Sequence, residues 1–305
     1  FFLLDKKIHK KALFIFRRDF RLEDNTALFH ALRLSEQVVP CFIFDNNQID
    51  PTKNPYFGHN IVQFMIESLK DLNSQLNKFK SRLLFFHGEV EATFLHVLAE
   101  VKPDAVFINE DVTPYALKRD SRFEELCKQD SIKFYHFSDV MLIAKDKIML
   151  SGGRFYQKFT PYYKNASSFP VNKPEPNVYK HYAPASQSYK GEYKYEDLDK
   201  FYKKNDDLEV RGGRTEALKV LKEMKKFANY QQTRDFPALA TTRLSAHNKF
   251  GNVSIREVYH TAKDLFGPSC TFIQQLFWRD FYYNIAFYFP HVFGILIFPL
   301  KNNNI

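Results

Sequence analysis

The amino-acid sequence predicts an α/β domain with a doubly wound, five-stranded parallel sheet, followed by a long connector and an all-α region. Three observations indicate this fold class. Short apolar runs alternate with helical patterns along the first part of the chain, periodicity then weakens over a proline-containing stretch, and helical periodicity finally returns. We place the three parts at residues 1–138, 139–211 and 212–305.

Five short runs predict the strands, because each is rich in β-branched or aromatic residues and is bounded by turn residues. The runs cover residues 12–16, 38–44, 82–88, 105–111 and 133–137. Helical patterns lie between them at residues 60–76, 93–100 and 114–127. Strands that alternate with helices form parallel sheets, and such sheets bind ligands beyond the carboxyl ends of their strands.

The turn after the first predicted strand reads FRRDFRLEDN over residues 16–25. It lacks the G-x-G-x-x-G pattern of a Rossmann dinucleotide site. Its three arginines are balanced by three acidic residues, so a solvated, salt-bridged loop and a functional loop fit the sequence equally well. Asp24 or Asn25 is expected to cap the helix that follows.

Residues 139–210 show neither a helical nor a strand period, and they contain five prolines with many tyrosines and lysines. We interpret them as a connector laid over the surface, with an aromatic patch at residues 155–163. Helical periodicity resumes near Gly212, and Ser254 with Glu257 has the spacing of a capping box.

Residues 281–300 are nearly free of charge and have about the length of a membrane span. Two prolines, a glycine, Asn284 and His291 interrupt this stretch. A buried helix with an irregular tail is therefore favoured over a membrane span, and no membrane partner is expected.

The formal net charge of +9 indicates a polyanionic partner, either nucleic acid or an acidic surface. Cys41, Cys127 and Cys270 form no C-x-x-C pair, which argues against a disulfide scaffold and against a metal site. They favour a reducing compartment, so we expect a cytoplasmic or nuclear protein that is not secreted. The N-terminal FFLL run is too short for the apolar region of a secretion signal.

A hydroxyl-rich turn precedes one helical segment: Thr241, Thr242, Arg243, Leu244 and Ser245. Short hydroxyl side chains and exposed backbone N–H groups that lead into a helix can hold phosphate, because a helix N-terminus favours negative charge. A turn that only caps the helix explains the same residues equally well.

The amphipathic segment at residues 272–283 is the second candidate. Gln275, Trp278, Arg279 and Tyr282 recur there at i, i+3, i+4 and i+7, which places them on one helical face. This face carries an amide, the chain's only tryptophan and a guanidinium, where a core helix would more often carry leucine and valine. An aromatic-rich core helix remains the structural alternative.

Five motifs occur in the order and spacing of a known family: FRRDFRLEDNTAL, NEDVTPYALKRD at residues 109–120, RDFPAL, TTRLSAHNKFG and QLFWRDFY. From about Ala12 to Gly294 the chain resembles the photolyase/cryptochrome family, and most of all its class I cyclobutane pyrimidine dimer photolyases. The resemblance implies light-driven DNA repair, in which reduced FAD donates an electron to a pyrimidine dimer. Damaged DNA is then the partner, and a folate or deazaflavin antenna chromophore can accompany FAD.

The resemblance also implies roles for single residues. It assigns the FAD phosphates to Tyr230, Thr241, Thr242, Arg243, Leu244 and Ser245. Trp278 resembles the ring that stacks on a flipped-out pyrimidine dimer, and Gln275 stands where the family contacts that lesion. Arg279 resembles the arginine beside the flavin. Asn109 and Glu110 resemble a folate antenna site, although a loop carboxylate is an equal alternative for Glu110.

Two departures from the family pattern keep alternatives open. Gln275 replaces the glutamate of class I dimer photolyases and resembles (6-4) photolyases and animal cryptochromes. In the family the helical domain also continues for about a hundred residues or more past the motif WRDFY. We therefore expect a truncated or split enzyme with half a flavin site, completed by a second polypeptide. A cryptochrome-like blue-light photosensor, a (6-4) photolyase and an inactive, cofactor-free remnant are the alternatives.

Overall fold

The sheet has the predicted number and direction of strands. The computed structural model describes residues 7–150 and 152–293. Its strands are β1 His9–Ile15, β2 Ser35–Asp45, β3 Leu84–Gly88, β4 Ala105–Asn109 and β5 Lys133–Phe137. Every paired strand is parallel, and the order across the sheet is β3-β2-β1-β4-β5. The predicted fold class is confirmed, with β2 beginning three residues before the predicted run.

The helices alternate with the strands and then continue alone. The described helices are α1 Thr26–Leu34, α2 Asn46–Ile49, α3 His59–Asn77, α4 Val90–Val101, α5 Pro114–Gln129, α6 Phe159–Ala166, α7 Arg214–Lys222, α8 Tyr230–Thr233, α9 Leu244–Phe250, α10 Ile255–Phe266 and α11 Thr271–Tyr288. Short 3-10 helices cover Lys145–Lys147, Tyr195–Phe201, Met224–Phe227 and Pro290–Phe293. The three helices predicted between strands are confirmed as α3, α4 and α5.

Two capping predictions can be compared with the structure. The side chain of Asn25, and not that of Asp24, accepts a hydrogen bond from the backbone N–H of Leu28 and caps α1. Ser254 and Glu257 form the predicted capping box at the start of α10, each side chain accepting from the backbone of the other. Both caps satisfy backbone donors that a helix N-terminus leaves unpaired.

The sheet is buried on both faces, as a doubly wound fold requires. Alternate strand residues point to opposite sides, so Phe14 and Phe107 join a core with α1 and α3, while Leu13 and Val106 join one with α4 and α5. A third core lies within the helical region and includes residues of α6, α10 and α11. The site described below lies between the sheet and this third core.

The prediction of a connector without regular structure is wrong for α6. Tyr162 and Ala166 are buried one turn apart in the helical core, and the Tyr162 ring packs against Phe281 of α11. Pro161 is tolerated because it lies in the first turn, where backbone N–H groups have no partner within the helix. Two turns carry too short an apolar stripe to stand out in the sequence.

Another part of the connector lies against the sheet. The backbone N–H of Val38 donates to His181 O at 2.7 Å, and Ala183 N–H donates to Val38 O at 2.7 Å. Tyr182 thereby forms a parallel bridge with Val38, ahead of the point at which β3 begins to pair with β2. This contact extends the sheet locally and buries Tyr182.

The loop after β1 is salt-bridged but not solvated, which corrects the solvated alternative. Arg21 and Asp139 are both buried, and their ion pair spans 2.5 Å. Arg256 of α10 also binds Asp139 at 2.9 Å and Asp24 at 2.8 Å. Burial alone would raise the pKa of Asp139, but Arg21 and Arg256 outweigh it and hold this pKa well below its usual range.

The helical region approaches this loop backbone to backbone. Gly251, after α9, has a left-handed φ of 66°, and a Cβ there would meet the carbonyl oxygen of Arg18 at 2.2 Å. Phe20 N–H donates to Phe250 O at 3.1 Å in the same place. Only glycine fits this position, so the end of α9 is fixed against the end of β1.

Part of the predicted tail and the membrane question can be placed. No helix within the described ranges combines the length and the apolar character that crossing a bilayer would need. The stretch 281–300 is helical as far as Tyr288, whereas residues 294–300 lie outside the described part of the chain. The same holds for the FFLL run and for residues 301–305. The domain boundaries and the cellular location stay predictions.

We expect Arg21→Ala to lower the free energy of unfolding by about 3–5 kcal/mol, because it leaves the buried Asp139 carboxylate with one guanidinium partner fewer. Arg122→Ala is the matched control: its ion pair with Glu91 is exposed, and its loss should cost less than about 1 kcal/mol. Urea unfolding followed by circular dichroism measures both. Equal small losses in the two variants would contradict a structural role for the buried cluster.

Candidate functional site

A cavity of about 590 Å³ lies between the helical region and the carboxyl ends of β1 and β4. The helical region lines it from α8, from the turn before α9 and from α11. The lining includes these residues singled out in the sequence: Tyr230, Thr241, Thr242, Arg243, Leu244, Ser245, Gln275, Arg279 and Tyr282. The α/β domain contributes Arg18, Val112 and Thr113. All residues assigned to FAD thus share one cavity.

The hydroxyl-rich turn is held in an uncommon backbone conformation. Arg243 precedes α9 with a left-handed φ of 51°, which non-glycine residues adopt rarely and mostly where surrounding contacts enforce it. Thr242 is buried, and its hydroxyl oxygen accepts from the backbone N–H of Leu244 at 3.4 Å. Arg243 pairs with Glu209 outside the cavity. The turn therefore presents the side chains of Thr241 and Ser245 at the cavity wall.

The guanidinium of Arg279 is fixed at the opposite wall. It donates to Val140 O at 2.5 Å and to Asn248 O at 3.5 Å, and it lies 4.6 Å from the centre of the Tyr283 ring. Contact with an aromatic face stabilises a cation that is partly removed from water. A positive charge thus stands at a defined place in the cavity before any ligand binds.

Asp280, next to Arg279, faces away from the cavity. Its carboxylate accepts from the backbone N–H of Leu142 at 2.6 Å, which ties α11 to the loop after β5. Burial raises the pKa of Asp280 to about 7, although Arg279 and two backbone N–H groups lower it. Between the pKa of Asp280 in the unfolded chain and its pKa in the folded chain, the folded chain therefore binds more protons at this site. The neutral carboxyl stabilises the fold at low pH, and this stabilisation is lost as pH rises through about 7.

Sequence reasoning missed three polar residues of the cavity: Arg18, Asn248 and Lys249. Partial removal from water and the nearby guanidiniums of Arg18 and Arg279 together lower the pKa of Lys249 to about 8, while Asp111 opposes the shift. Lys249 still has a solvent-exposed part, and the solvent there screens these charges.

The chemistry of these residues points to an anionic ligand with polar groups. Asn248 Oδ1 is buried and has no hydrogen-bond partner among the described residues, so it can accept from a ligand. Two patterns in the sequence could have indicated Arg18 and Lys249 as residues of the cavity. Arg18 follows the carboxyl end of β1, where parallel sheets bind ligands, and Lys249 lies one helical turn after Ser245.

The predicted common face of α11 divides at Trp278. Gln275, Arg279 and Tyr282 line the cavity, whereas Trp278 does not belong to the lining among the described residues. The indole instead stacks on Phe159 of α6, with ring centres 3.7 Å apart and planes 8° apart. The predicted stacking of Trp278 on a base is not tested by this arrangement.

Asn109 lies in the buried network beneath the β1 loop and not in the cavity. Its amide nitrogen donates to Asp19 at 2.5 Å and to Asn25 at 2.8 Å. Its amide oxygen accepts from the backbone N–H of Ala27 at 3.0 Å. These bonds join β4 to the start of α1, so the side chain has a structural role that the antenna prediction did not include.

Glu110 also has partners within the protein. It pairs with Lys145 at 2.5 Å and with His136 at 2.9 Å, and the hydrogen bond from His136 contributes most to lowering its pKa to about 2, against burial. The paired loop carboxylate is therefore observed. Whether an antenna chromophore also binds at Glu110 stays a prediction.

A second cavity, of about 280 Å³, lies beyond the carboxyl ends of β1 and β2. Arg18 and Lys249 line both cavities, so the two sites share a cationic wall. The second cavity has many aromatic and apolar residues, among them Phe16, Phe42, Ile49, Met65 and Phe123. Its further polar lining comprises Arg17, Arg119, Asp45, Asp111, Gln48 and Asn54. Sequence analysis did not identify it.

Comparisons with known proteins agree on one family. The family model for DNA photolyase matches residues 12–178. A deoxyribodipyrimidine photo-lyase of Alkalihalophilus pseudofirmus is 31% identical over 292 residues, which cover 90% of this chain and 59% of that protein. A (6-4)DNA photolyase of Oryza sativa subsp. japonica is 30% identical and covers 92% of this chain, which spans 56% of the relative. Cryptochromes are similar as well.

The solved structures show the same fold. An archaeal photolyase from Sulfolobus tokodaii, described with two FAD molecules and a novel light-harvesting cofactor, superposes with a TM-score of 0.80 and 37% identity. The superposition covers 93% of this chain and 61% of that chain. The chain therefore spans about three fifths of the length of these relatives and matches the N-terminal part of the photolyase fold.

We expect ADP, as a pyrophosphate probe, to bind the larger cavity with an affinity that falls roughly fivefold from about pH 7 to about pH 9, because Lys249 then loses its charge. Isothermal titration calorimetry at constant ionic strength measures this profile. In Lys249→Met the profile should be flat, whereas Lys222→Met, outside the cavity, should retain it. An unchanged pH dependence in Lys249→Met would show that Lys249 does not contact the ligand.

Proposed function

The chain belongs to the DNA photolyase family, and from this premise we propose that it forms the N-terminal part of a light-driven DNA-repair flavoprotein. The proposed reaction is the splitting of cyclobutane pyrimidine dimers, which makes the enzyme a deoxyribodipyrimidine photolyase. The observation that carries the proposal is the cavity of about 590 Å³, where every residue assigned to FAD from the sequence meets.

The cavity residues fit FAD. The hydroxyls of Thr241 and Ser245 and the positive charges of Arg18, Lys249 and Arg279 suit a pyrophosphate, which accepts hydrogen bonds and carries negative charge. Phe272 and Leu276 supply an apolar wall for rings, and Asn248 Oδ1 offers an acceptor without a protein partner. When bound and reduced, FAD supplies the light-driven electron that opens the cyclobutane ring.

The protein's own contribution is to position the reacting groups. Arg279 is held between Val140 O and the Tyr283 ring, so its charge stays beside the flavin site. Gln275, one turn earlier on the same wall, offers an amide donor and an acceptor to a base. Trp278 lies three residues beyond Gln275 and supplies the aromatic plane on which an extruded base stacks.

Full activity is proposed to need more of the fold than this chain spans. The chain corresponds to 59% of one photolyase and 61% of another, and it matches their N-terminal part. Around the cavity, Phe236 and Leu239, in the loop from α8 to the hydroxyl turn, are strongly exposed apolar residues. We infer that further helices cover them, contributed by a longer chain or by a second polypeptide.

A second candidate function is favoured by one residue. Gln275 lacks the charge of the glutamate that class I dimer photolyases carry at this position. In this respect the position resembles that of (6-4) photolyases and animal cryptochromes. Proteins of all three kinds are similar to this chain. Repair of (6-4) lesions, or light sensing without repair, is therefore the alternative.

The second cavity is the better candidate for the antenna chromophore. Asn109 uses both ends of its amide inside the protein, and Glu110 is paired twice. The cavity of about 280 Å³ has an aromatic lining, and its cations, among them Arg17, Arg119 and Lys249, outnumber its carboxylates Asp45 and Asp111. This combination suits a planar, anionic ring system such as a deazaflavin or a folate. A relative described with a light-harvesting cofactor supports an antenna in this family.

Repair of defined lesions tests the proposal. Oligonucleotides with one cyclobutane dimer or one (6-4) photoproduct are illuminated with the chain and reduced FAD, alone or with a polypeptide that supplies the rest of the family's helical region. Light-dependent loss of the cyclobutane dimer is the expected result. Loss of the (6-4) photoproduct alone would support (6-4) repair. No light-dependent repair in either mixture would contradict both repair functions and leave light sensing without repair.

Gln275→Glu should increase affinity for the cyclobutane dimer by roughly threefold to tenfold, because a charge-assisted hydrogen bond replaces a neutral one. Gln274→Glu is the matched control, since Gln274 adjoins Gln275 on α11 but does not line the cavity. Fluorescence anisotropy of labelled oligonucleotides measures both variants. An equal change in the two would mean that Gln275 does not contact the lesion.

A further inference from the structure

The ring of Trp278 has one face already occupied. Phe159 of α6 lies parallel to it, with ring centres 3.7 Å apart and planes 8° apart. Phe281 meets the indole edge-on at 5.7 Å and 82°. No second ring can enter on the Phe159 side at that separation. These two contacts hold the plane of the indole, so a flat ligand can stack only on its other face.

Tyr282 lies against Trp278 as well. It follows Trp278 by four residues on α11, and the two rings are stacked, with centres 5.7 Å apart and planes 29° apart. Residues four apart on a helix are neighbours on one face. Phe159 takes the first face of the indole, and Tyr282 is the other ring that stacks on Trp278 among the described residues.

Tyr282 is also placed to move. Its side chain is 62% exposed, and it lines the larger cavity in addition to touching Trp278. When the Tyr282 side chain rotates away from Trp278, it therefore loses little of its apolar contact with the rest of the protein. Exposed aromatic side chains change rotamer rapidly compared with buried ones.

We propose that Tyr282 is a positioning residue whose ring covers Trp278 when no DNA is bound. An extruded pyrimidine then displaces the Tyr282 ring from Trp278. This inference rests on the proposed function, because it takes Trp278 as the surface that receives the base. When no DNA is bound, the Tyr282 ring takes the stacking position on the indole that a base would otherwise occupy. A base must break this contact, so Tyr282 lowers the affinity for DNA.

The energy of an aromatic pair sets the expected effect. Tyr282→Ala should bind an oligonucleotide with a cyclobutane dimer roughly two- to tenfold more tightly than the unchanged chain. Tyr282→Phe keeps the ring and should bind like the unchanged chain. A merely structural role for the tyrosine would weaken binding in the alanine variant, which is the opposite direction.

Trp278 is the only tryptophan, so its fluorescence reports this stack directly. Acrylamide should quench the emission more strongly in Tyr282→Ala than in Tyr282→Phe when no DNA is present. Addition of the dimer oligonucleotide should then protect the emission from acrylamide in both. Circular dichroism checks that both variants fold.

The outcomes separate the inference from the function on which it rests. Tighter binding and stronger quenching in Tyr282→Ala would support both. Dimer-specific binding that is equal or weaker in Tyr282→Ala, or quenching that does not change, would overturn the role of Tyr282 and leave the proposed function intact. Absence of dimer-specific binding in all three proteins, each also assayed with the polypeptide that supplies the rest of the family's helical region, would overturn the proposed function and the inference together.

Discussion

The position of the helical region depends on one buried group of charges. Arg21 and Arg256 share the Asp139 carboxylate, and Arg256 also binds Asp24. Removing charges from water is costly unless each finds a partner, so this group is stable only when the β1 loop, the end of β5 and α10 come together. The same arrangement brings Arg18, beyond β1, into the cavity whose other walls are helical. The two parts of the chain therefore build one site.

The fold was predictable where burial leaves a local pattern. Strands β1 to β4 are largely buried on both faces, which produces short apolar runs, and α3 to α5 carry amphipathic repeats of several turns. The pattern fails for α6, whose two turns bury only Tyr162 and Ala166. It also fails for the β1 loop. Charged residues indicate solvent by default, and only partners distant in sequence, such as Asp139 and Arg256, show that the loop is buried.

The site was predictable to the extent that chemistry and spacing are local. The turn at residues 241–245 and the face of α11 stood out for their hydroxyls and their guanidinium, and the structure brings them into one cavity. Lys249 was indicated only by its spacing from Ser245, and Asn248 lacked a signal, because its place in the cavity depends on what α9 faces. Trp278 shows the limit of helical spacing, since a helical face about 100° wide can border a cavity on one side and a core on the other.

The central claim is that the cavity holds FAD. The most direct measurement is the visible absorption spectrum of the purified chain, combined with a polypeptide that supplies the rest of the family's helical region, after incubation with FAD and removal of free cofactor, with extraction and quantitation of the flavin. Near-stoichiometric flavin with resolved vibronic bands is the predicted result, and Arg279→Leu should lower the retained flavin. A colourless protein with no extractable flavin would contradict the claim that these residues form a flavin site.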